Sequence, residues 1–151
     1  MRLIFLDVDG VLNNRRSMLA GVDLDPLCVH ELRRILSITK ARVVLSSVWR
    51  LYPQFLAQVR KAVPEFTGWK TPEIRNVCRG EEIATWLDLG WSENVEQYCI
   101  LDDDADMLEH QKPFLVQTTF EEGLTEYLAN IAINILMEGH DDGRDNKRKL
   151  C

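Results

Sequence analysis

Short apolar runs that end abruptly in polar residues recur along the chain. The runs at residues 2–6, 42–45 and 98–101 are each followed at once by Asp or Ser. Runs of this length, bounded by polar turns, are typical of buried strands. A further apolar run at residues 113–116 predicts a fourth strand.

Helical signals fill the intervals between these runs. Asp25 and Pro26 predict a helix start, as N-cap and first helical residue. The apolar residues after them recur at helical spacing, at Leu32, Ile35 and Leu36. Three more helices are predicted from Pro53, over residues 80–89 with Gly90 as C-terminal cap, and from Thr125 to about Met137 before Gly139.

The alternation of strands and helices predicts a three-layer α/β fold, Rossmann-like, with a mainly parallel sheet covered by helices on both faces. We find no internal repeat and no inner boundary, so residues 1–139 are expected to form one domain. The polar, charged segment at residues 140–151 is expected to be a disordered tail.

Composition narrows the class of protein. The 151 residues are 46% hydrophobic, and no apolar stretch approaches the roughly 20 residues that span a bilayer. The N-terminal apolar run is too short for a signal peptide, and four cysteines without close spacing indicate reduced thiols, so we expect a cytoplasmic protein with no membrane partner. The net charge of −6 argues against tight sequence-independent binding of nucleic acid, although a local basic patch can coexist with it.

Three predicted strands carry polar clusters directly after their last apolar residue. The clusters are Asp7-Val8-Asp9, Ser46-Ser47 and Asp102-Asp103-Asp104. Ligands of parallel α/β sheets bind outside the carboxyl ends of the strands. Segments distant in sequence are therefore expected to meet at one edge of the sheet and to form the functional site there.

Two carboxylates stand two residues apart in the first cluster. In extended backbone Asp7 and Asp9 point the same way, and Gly10 lets the chain turn sharply after them. Phosphoryl transfer can use one carboxylate as the nucleophile and the other as general acid and base. The alternative is that the motif is only a strand-ending turn, for which Asp and Gly are also suited.

A second acidic strand end favours a metal site. Carboxylates about 4 Å apart repel by roughly 4 kcal/mol per pair at an effective dielectric constant near 20, and a divalent cation removes this penalty. An all-oxygen set that includes Asp102 and Asp103 favours a hard ion, and phosphate chemistry favours Mg²⁺. The alternative is a solvated acidic loop or a helix cap before Met107.

Other polar residues near these strand ends are candidates for contacts with a phosphorylated substrate. The Ser46 hydroxyl can donate to a phosphate oxygen, and Arg79, at the start of a predicted helix, can bridge the nucleophile and the phosphate. Arg50 and Lys70 compete for this cationic role. Substrate contacts are also predicted for Ser47, Gly10 and Arg50.

The motifs resemble those of the haloacid dehalogenase-like (HAD) superfamily. LIFLDVDGVL at residues 3–12 resembles its first motif, and CILDDDAD at residues 99–106 resembles its acidic fourth. VVLSS at residues 43–47 is similar to the second motif, and Arg79 stands in the place of the basic third. The resemblance implies an HAD-type phosphatase.

The resemblance also implies roles for single residues. Asp7 would be the nucleophile that forms an aspartyl-phosphate, and Asp9 the general acid and base. Mg²⁺ would bind the Asp7 carboxylate, the Asp9 backbone carbonyl and the Asp102–Asp103 pair, with Asp103 as the more direct ligand. Val11 departs from the Thr common at that position, where the usual contribution is local hydrogen bonding.

A narrower similarity is to HAD domains associated with RNA repair, including the phosphatase part of polynucleotide kinase-phosphatases. The segments that carry it are SSVWR, RGEEIATWL and GLTEYL, together with ILDDD. The intervals that hold a cap domain in many HAD enzymes are short here. We therefore expect an open, capless site that suits a phosphate at the end of a large substrate, such as a nucleic-acid strand or a protein. The alternative is a lid supplied by another subunit.

Three other readings remain. A response-regulator receiver has its acidic pair first and its phosphorylated Asp after the middle strand, whereas this chain has Ser46 there and its acidic pair last. A metal-dependent nuclease would use the same carboxylates with water as nucleophile. A catalytically inactive HAD-like binding module is the third, although Asp7 and Asp9 are both present.

Overall fold

Four parallel strands form a single sheet in the order β2-β1-β3-β4. The computed structural model describes residues 1–89 and 94–138 of the chain. The strands are β1 Arg2–Leu6, β2 Arg42–Leu45, β3 Gln97–Asp102 and β4 Leu115–Gln117. The parallel sheet predicted from the apolar runs is therefore confirmed.

In the described residues, five α-helices connect and cover the strands. They are α1 Arg15–Ala20, α2 Pro26–Thr39, α3 Pro53–Ala62, α4 Arg79–Asp88 and α5 Glu126–Met137. Two 3₁₀ helices cover Val48–Leu51 and Glu109–Phe114. The predicted N-caps are present, since Asp25 accepts from the backbone N–H of Leu27 and Thr125 from that of Leu128.

Alternate residues of β1 build two separate cores, because side chains of a strand point to opposite faces. Ile4 and Leu6 join the larger core, under α2, α3 and α5. Leu3 and Phe5 join the smaller core under α4, where the Phe5 ring meets Trp86 edge-on at 5.6 Å between centroids. Helices thus cover both faces, which confirms the predicted three-layer α/β fold.

The structure differs from the sequence prediction in two places. Helix α1 was not predicted, because Ser17 is its one buried residue and it has no apolar stripe; a capping box between Asn14 and Ser17 defines its start instead. The predicted fourth strand begins later, at Leu115, because the residues before it form a 3₁₀ helix. The predicted caps Gly90 and Gly139 and the tail at residues 140–151 lie outside the described residues, so the domain limits stay a prediction.

The described chain holds no cap domain over the carboxyl edge of the sheet. Between β1 and β2 there are only α1 and α2, and between β2 and α4 only a 3₁₀ helix, α3 and the irregular segment at residues 64–78. No helix in residues 1–89 or 94–138 is long and apolar enough to cross a membrane.

A buried ion pair fixes α4 to the loop that follows β2. Arg50 is only 5% exposed, and its guanidinium meets both carboxylate oxygens of Glu82 at 2.9 Å. Its remaining hydrogen bonds go to four backbone carbonyls, those of Ser46, Ser47, Thr71 and Pro72. Arg50 therefore joins three segments that are distant in sequence.

Removal of one partner of this pair should be costly. Arg50→Met and Glu82→Met should each lower the free energy of unfolding by about 3–5 kcal/mol, because each leaves a buried charge without its partner. The double variant should lose less than the sum of the two, as measured by urea unfolding.

The exposed pair Arg33–Glu65 is the matched control, with side chains 52% and 41% exposed. Its single substitutions should change stability by less than about 1 kcal/mol. Additive losses at Arg50 and Glu82, or losses no larger than in this control, would contradict a structural role for the buried pair.

Candidate active site

Three carboxylates lie together at the carboxyl edge of the β1–β3 pair. Asp7 follows β1, Asp102 is the last residue of β3 and Asp103 comes next. One oxygen from each lies within 4.8 Å of the others. Asp7 and Asp102 are 6% and 1% exposed, so the cluster is largely removed from solvent.

Strand register brings these residues together. Leu6 pairs with Leu101 in parallel register, and the Asp7 N–H donates to the Leu101 carbonyl at 2.9 Å. On the other side of β3, the Thr118 N–H donates to the Asp102 carbonyl at 2.9 Å. The cluster is therefore a direct consequence of sheet pairing, as the sequence analysis expected.

Gly10 makes room for the third carboxylate. Its φ is +76°, and a Cβ built on it would lie 2.3 Å from Asp103 Oδ2. The Gly10 carbonyl accepts a 2.6 Å hydrogen bond from the Thr118 hydroxyl, which holds the turn in place. The role of Gly10 shown by the structure is this close approach; the predicted contact with substrate stays a prediction.

Arg79 is the cation that contacts the cluster in the described part of the chain. Its Nη1 lies 3.6 Å from Asp7 Oδ1 and 3.6 Å from Asp102 Oδ2, and it donates to the Ser46 carbonyl. The start of α4 is docked against the loop after β3, because the Arg79 N–H donates to Asp106 Oδ2 at 3.1 Å. At Gly80, a Cβ would lie 2.5 Å from Gln111 Oε1, so the close docking needs a glycine there.

The cluster carries more negative charge than the groups around it neutralise. The pKa of Asp102 is raised to about 7, chiefly by burial and then by the neighbouring Asp7, while Arg79 opposes the rise. Burial also raises the pKa of Asp7, although Arg79 and a hydrogen bond from Ser47 lower it. The pKa of Asp103 is raised by burial and by Asp7. One arginine does not neutralise three carboxylates.

The two serines after β2 take different positions. Ser47 is the serine whose hydroxyl interacts with the Asp7 carboxylate. Ser46 is fully buried, and its Oγ has no hydrogen-bond partner among the described residues. Its carbonyl accepts from both Arg50 and Arg79. Direct contact between the Ser46 hydroxyl and a phosphate stays a prediction, whereas its carbonyl visibly positions Arg79.

Asp9 is exposed, does not belong to the cluster and is held by hydrogen bonds. Its Oδ1 and Oδ2 accept from Trp49 Nε1 at 3.1 and 3.2 Å, and Oδ1 also accepts from Asn13 Nδ2 at 2.7 Å. Asn13 is itself fixed, because its Oδ1 accepts from the Gly10 N–H at 2.9 Å. Neither Trp49 nor Asn13 was predicted from the sequence to contact Asp9. Asn13 lies next to the first motif, but nothing in the sequence indicated that Trp49 reaches Asp9.

The predicted substrate contact of Arg50 needs correction. Every guanidinium nitrogen donates within the protein, so no donor remains for a phosphate. Lys70 is exposed. It lies beside β2, because the carbonyl of the preceding residue, Trp69, accepts from the Leu45 N–H. The described ion pairs of the cluster do not include Lys70. Of the three cations considered from sequence, the structure brings only Arg79 to the carboxylates.

The donor set fits a hard divalent cation. It consists of carboxylate oxygens from Asp7, Asp102 and Asp103, without Cys or His. Asp102 Oδ2 is buried and has no hydrogen-bond partner in the described residues. A buried anionic oxygen without a hydrogen bond is costly, the Arg79 contact at 3.6 Å is too long to be one, and a bound cation would satisfy this oxygen.

Comparison with known proteins agrees with this geometry. A model of the family described as the HAD domain in Swiss Army Knife RNA repair proteins matches residues 3–129. Comparisons with curated proteins and with solved structures found no match. The matched span begins in β1, ends in α5 and contains the whole cluster with Arg79, which confirms the resemblance indicated by the motifs.

The Gly10 turn can be tested through metal affinity. In Gly10→Ala the new Cβ should displace the Asp103 carboxylate, so Mg²⁺ affinity should fall at least about tenfold in isothermal titration calorimetry. Gly21→Ala is the control, because Gly21 has a similar φ of +68° and nothing within 4 Å of its Cβ position. Both variants should lose about 1–2 kcal/mol of stability from left-handed strain. Equal Mg²⁺ affinity in both would contradict the close approach as the reason for Gly10.

The charge of the cluster predicts how stability changes with pH. The pKa of Asp102 is about 7 in the folded chain against an ordinary 3.8, so between these values the folded state keeps a proton that the unfolded state has lost. The free energy of unfolding of metal-free protein should therefore fall as pH rises through this window. Urea unfolding in EDTA should show this fall, and Asp102→Asn should reduce it. Identical profiles for wild type and variant would contradict the assignment.

Proposed function

Since the chain belongs to the family of HAD domains in Swiss Army Knife RNA repair proteins, we propose that it is a Mg²⁺-dependent phosphatase that removes phosphate monoesters from nucleic-acid ends. The observation that carries the proposal is the division of the two motif aspartates. Asp7 lies in the metal-binding cluster beside Arg79, whereas Asp9 is held outside it by Trp49. These are the positions that a nucleophile and a proton donor need.

In the first step the Asp7 carboxylate attacks phosphorus. A bond forms between an Asp7 oxygen and phosphorus while the ester bond breaks, and Asp9 gives its proton to the leaving oxygen. Arg79, 3.6 Å from Asp7, faces the negative charge of the transferring group. Mg²⁺ bound by Asp7, Asp102 and Asp103 would supply further positive charge to the phosphoryl oxygens.

In the second step the aspartyl-phosphate is hydrolysed. Asp9, now ionised, takes a proton from water, and the water oxygen attacks phosphorus. The bond to Asp7 breaks, inorganic phosphate leaves and both aspartates return to their first state. The fixed hydrogen bonds from Trp49 and Asn13 keep Asp9 in one orientation for both proton transfers.

The proposed substrate class follows from the open edge and the family. In the described residues no cap domain closes over the cluster, so a phosphate carried on a large molecule can reach it. Arg15 and Arg16 are the first two residues of α1, and their side chains are 58% and 60% exposed although they pair with Glu121 and Asp25. These two cations support the binding of a polyanion at an otherwise acidic protein.

The proposal predicts phosphate release from end-phosphorylated RNA and DNA oligonucleotides. Release should require Mg²⁺ and stop in EDTA, and kcat/KM should exceed that for a mononucleotide or a sugar phosphate by at least about tenfold. Asp7→Asn should abolish turnover because an amide does not attack phosphorus. Free phosphate and the length of the oligonucleotide should be measured in the same reaction.

Asp88→Asn removes a carboxylate from the exposed end of α4 and is the matched control, since it leaves the cluster intact. Shortened oligonucleotides would identify a nuclease instead. Turnover by Asp7→Asn would contradict the aspartyl-phosphate, and Mg²⁺ binding without any turnover would identify an inactive binding module.

A further inference from the structure

We propose that the groove beside Asp9 is a nucleobase subsite, in which Tyr52 and Phe120 contact the base of the nucleotide that carries the phosphate. This inference rests on the proposed function, and it assigns the part of the site that binds the leaving group. The groove has a volume of about 690 Å³, within the range of small-molecule sites. It is lined by side chains of the β1 turn, α1, the 3₁₀ helix after β2 and the loop after β4.

The groove begins at the proton donor. Asp9, Asn13 and Trp49 all line it, and they are the residues joined by hydrogen bonds at Asp9. The cluster carboxylates Asp7, Asp102 and Asp103 do not line this groove. When Asp9 protonates the leaving oxygen, the group attached to that oxygen must extend from Asp9, and the groove is the concave surface that Asp9 itself lines.

Aromatic rings that are open to solvent line the outer groove. Tyr52 is 47% exposed and Phe120 is 43% exposed, although both are large apolar side chains. Tyr52 is supported from behind, since its ring meets Phe55 at 5.7 Å and Phe55 packs on Trp49 at 4.7 Å between centroids. The ring of Tyr52 is therefore held in place before any ligand binds.

A base fits this lining better than a purely apolar group. Stacking on aromatic side chains is the common way in which proteins bind unpaired bases. The groove also contains the amide of Asn13 and the carboxylate of Asp23, which can bond the polar edge of a base. An alkyl chain would leave the Asp23 carboxylate without a partner in the groove and would not use the remaining N–H of Asn13, whose amide otherwise bonds Gly10 and Asp9.

The backbone of a nucleic acid can leave the groove past a cation. The backbone N–H of Arg15 donates to the Phe120 carbonyl at 2.8 Å, so the backbones of these two residues lie side by side. Its guanidinium is exposed and paired with Glu121 at 3.2 Å, a surface pair that contributes little by itself. A phosphate of the adjoining nucleotide can take the place of Glu121 as its partner.

The test compares two end-phosphorylated oligonucleotides that differ only in the terminal nucleotide, which carries a base in one and is abasic in the other. We expect wild-type kcat/KM to be at least about fivefold higher for the substrate with the base. Binding is measured separately by fluorescence anisotropy with Asp7→Asn and the same oligonucleotides, labelled at the opposite end. The Kd ratio should show the same preference.

Variants assign the preference to the two rings. Tyr52→Ala and Phe120→Ala should each bring the base-to-abasic ratio of both kcat/KM and Kd towards one, whereas Tyr52→Phe and Phe120→Tyr should keep it. Tyr127→Ala is the matched control, because Tyr127 is 72% exposed on α5 and does not line the groove. Circular dichroism melting identifies any variant that does not fold. If one alanine variant does not fold, the alanine variant of the other ring tests the proposal.

Each outcome is informative. Turnover that is equal with and without the base would overturn the subsite and leave the phosphatase intact. A preference that survives both alanine variants would place the base elsewhere and also overturn it. If neither substrate is turned over, the proposed function fails, and the anisotropy ratio still decides whether the groove binds a base through Tyr52 and Phe120.

Discussion

The crowding of three carboxylates at one sheet edge is the constraint on which the rest of the site depends. Parallel pairing of β1 with β3 places Asp7 beside Asp102, and Gly10 lets Asp103 approach as a third. Burial and mutual repulsion destabilise the ionised form of these carboxylates, so the pKa values of all three are raised. The surrounding backbone hydrogen bonds hold the carboxylates together, and a bound divalent cation would relieve their repulsion.

Two arginines share the Ser46 carbonyl and have different tasks. Arg50 is buried and its charge is neutralised by Glu82, so its role is to hold the loop after β2 against α4. Arg79 is held at the same carbonyl but turns its guanidinium to Asp7. Because Glu82 and Arg79 both belong to α4, the buried pair that anchors this helix also sets the position of the cation at the site.

The geometry also separates the two sides of a phosphate bound at the cluster. On one side are the carboxylates with Arg79, which suit the transferred phosphoryl group. On the other are Asp9 and the groove that ends at Tyr52 and Phe120, which suits the group that leaves. Residues 1–89 and 94–138 hold no cap domain, so in the proposed function the contacts to the leaving group would come from the side chains that line this open groove.

The sequence by itself determined the strands, the sheet type and the acidic edge, because apolar runs and strand-end carboxylates are local patterns that sheet pairing brings together in one way. It did not determine that Arg79, rather than Lys70 or Arg50, meets the carboxylates. That choice depends on how α4 docks on the loop after β3, and on Glu82, 32 residues from Arg50, which occupies the competing guanidinium. The contact of Trp49 with Asp9 is likewise tertiary, since it joins the loops after two different strands, and no local pattern records which side chains such loops bring face to face.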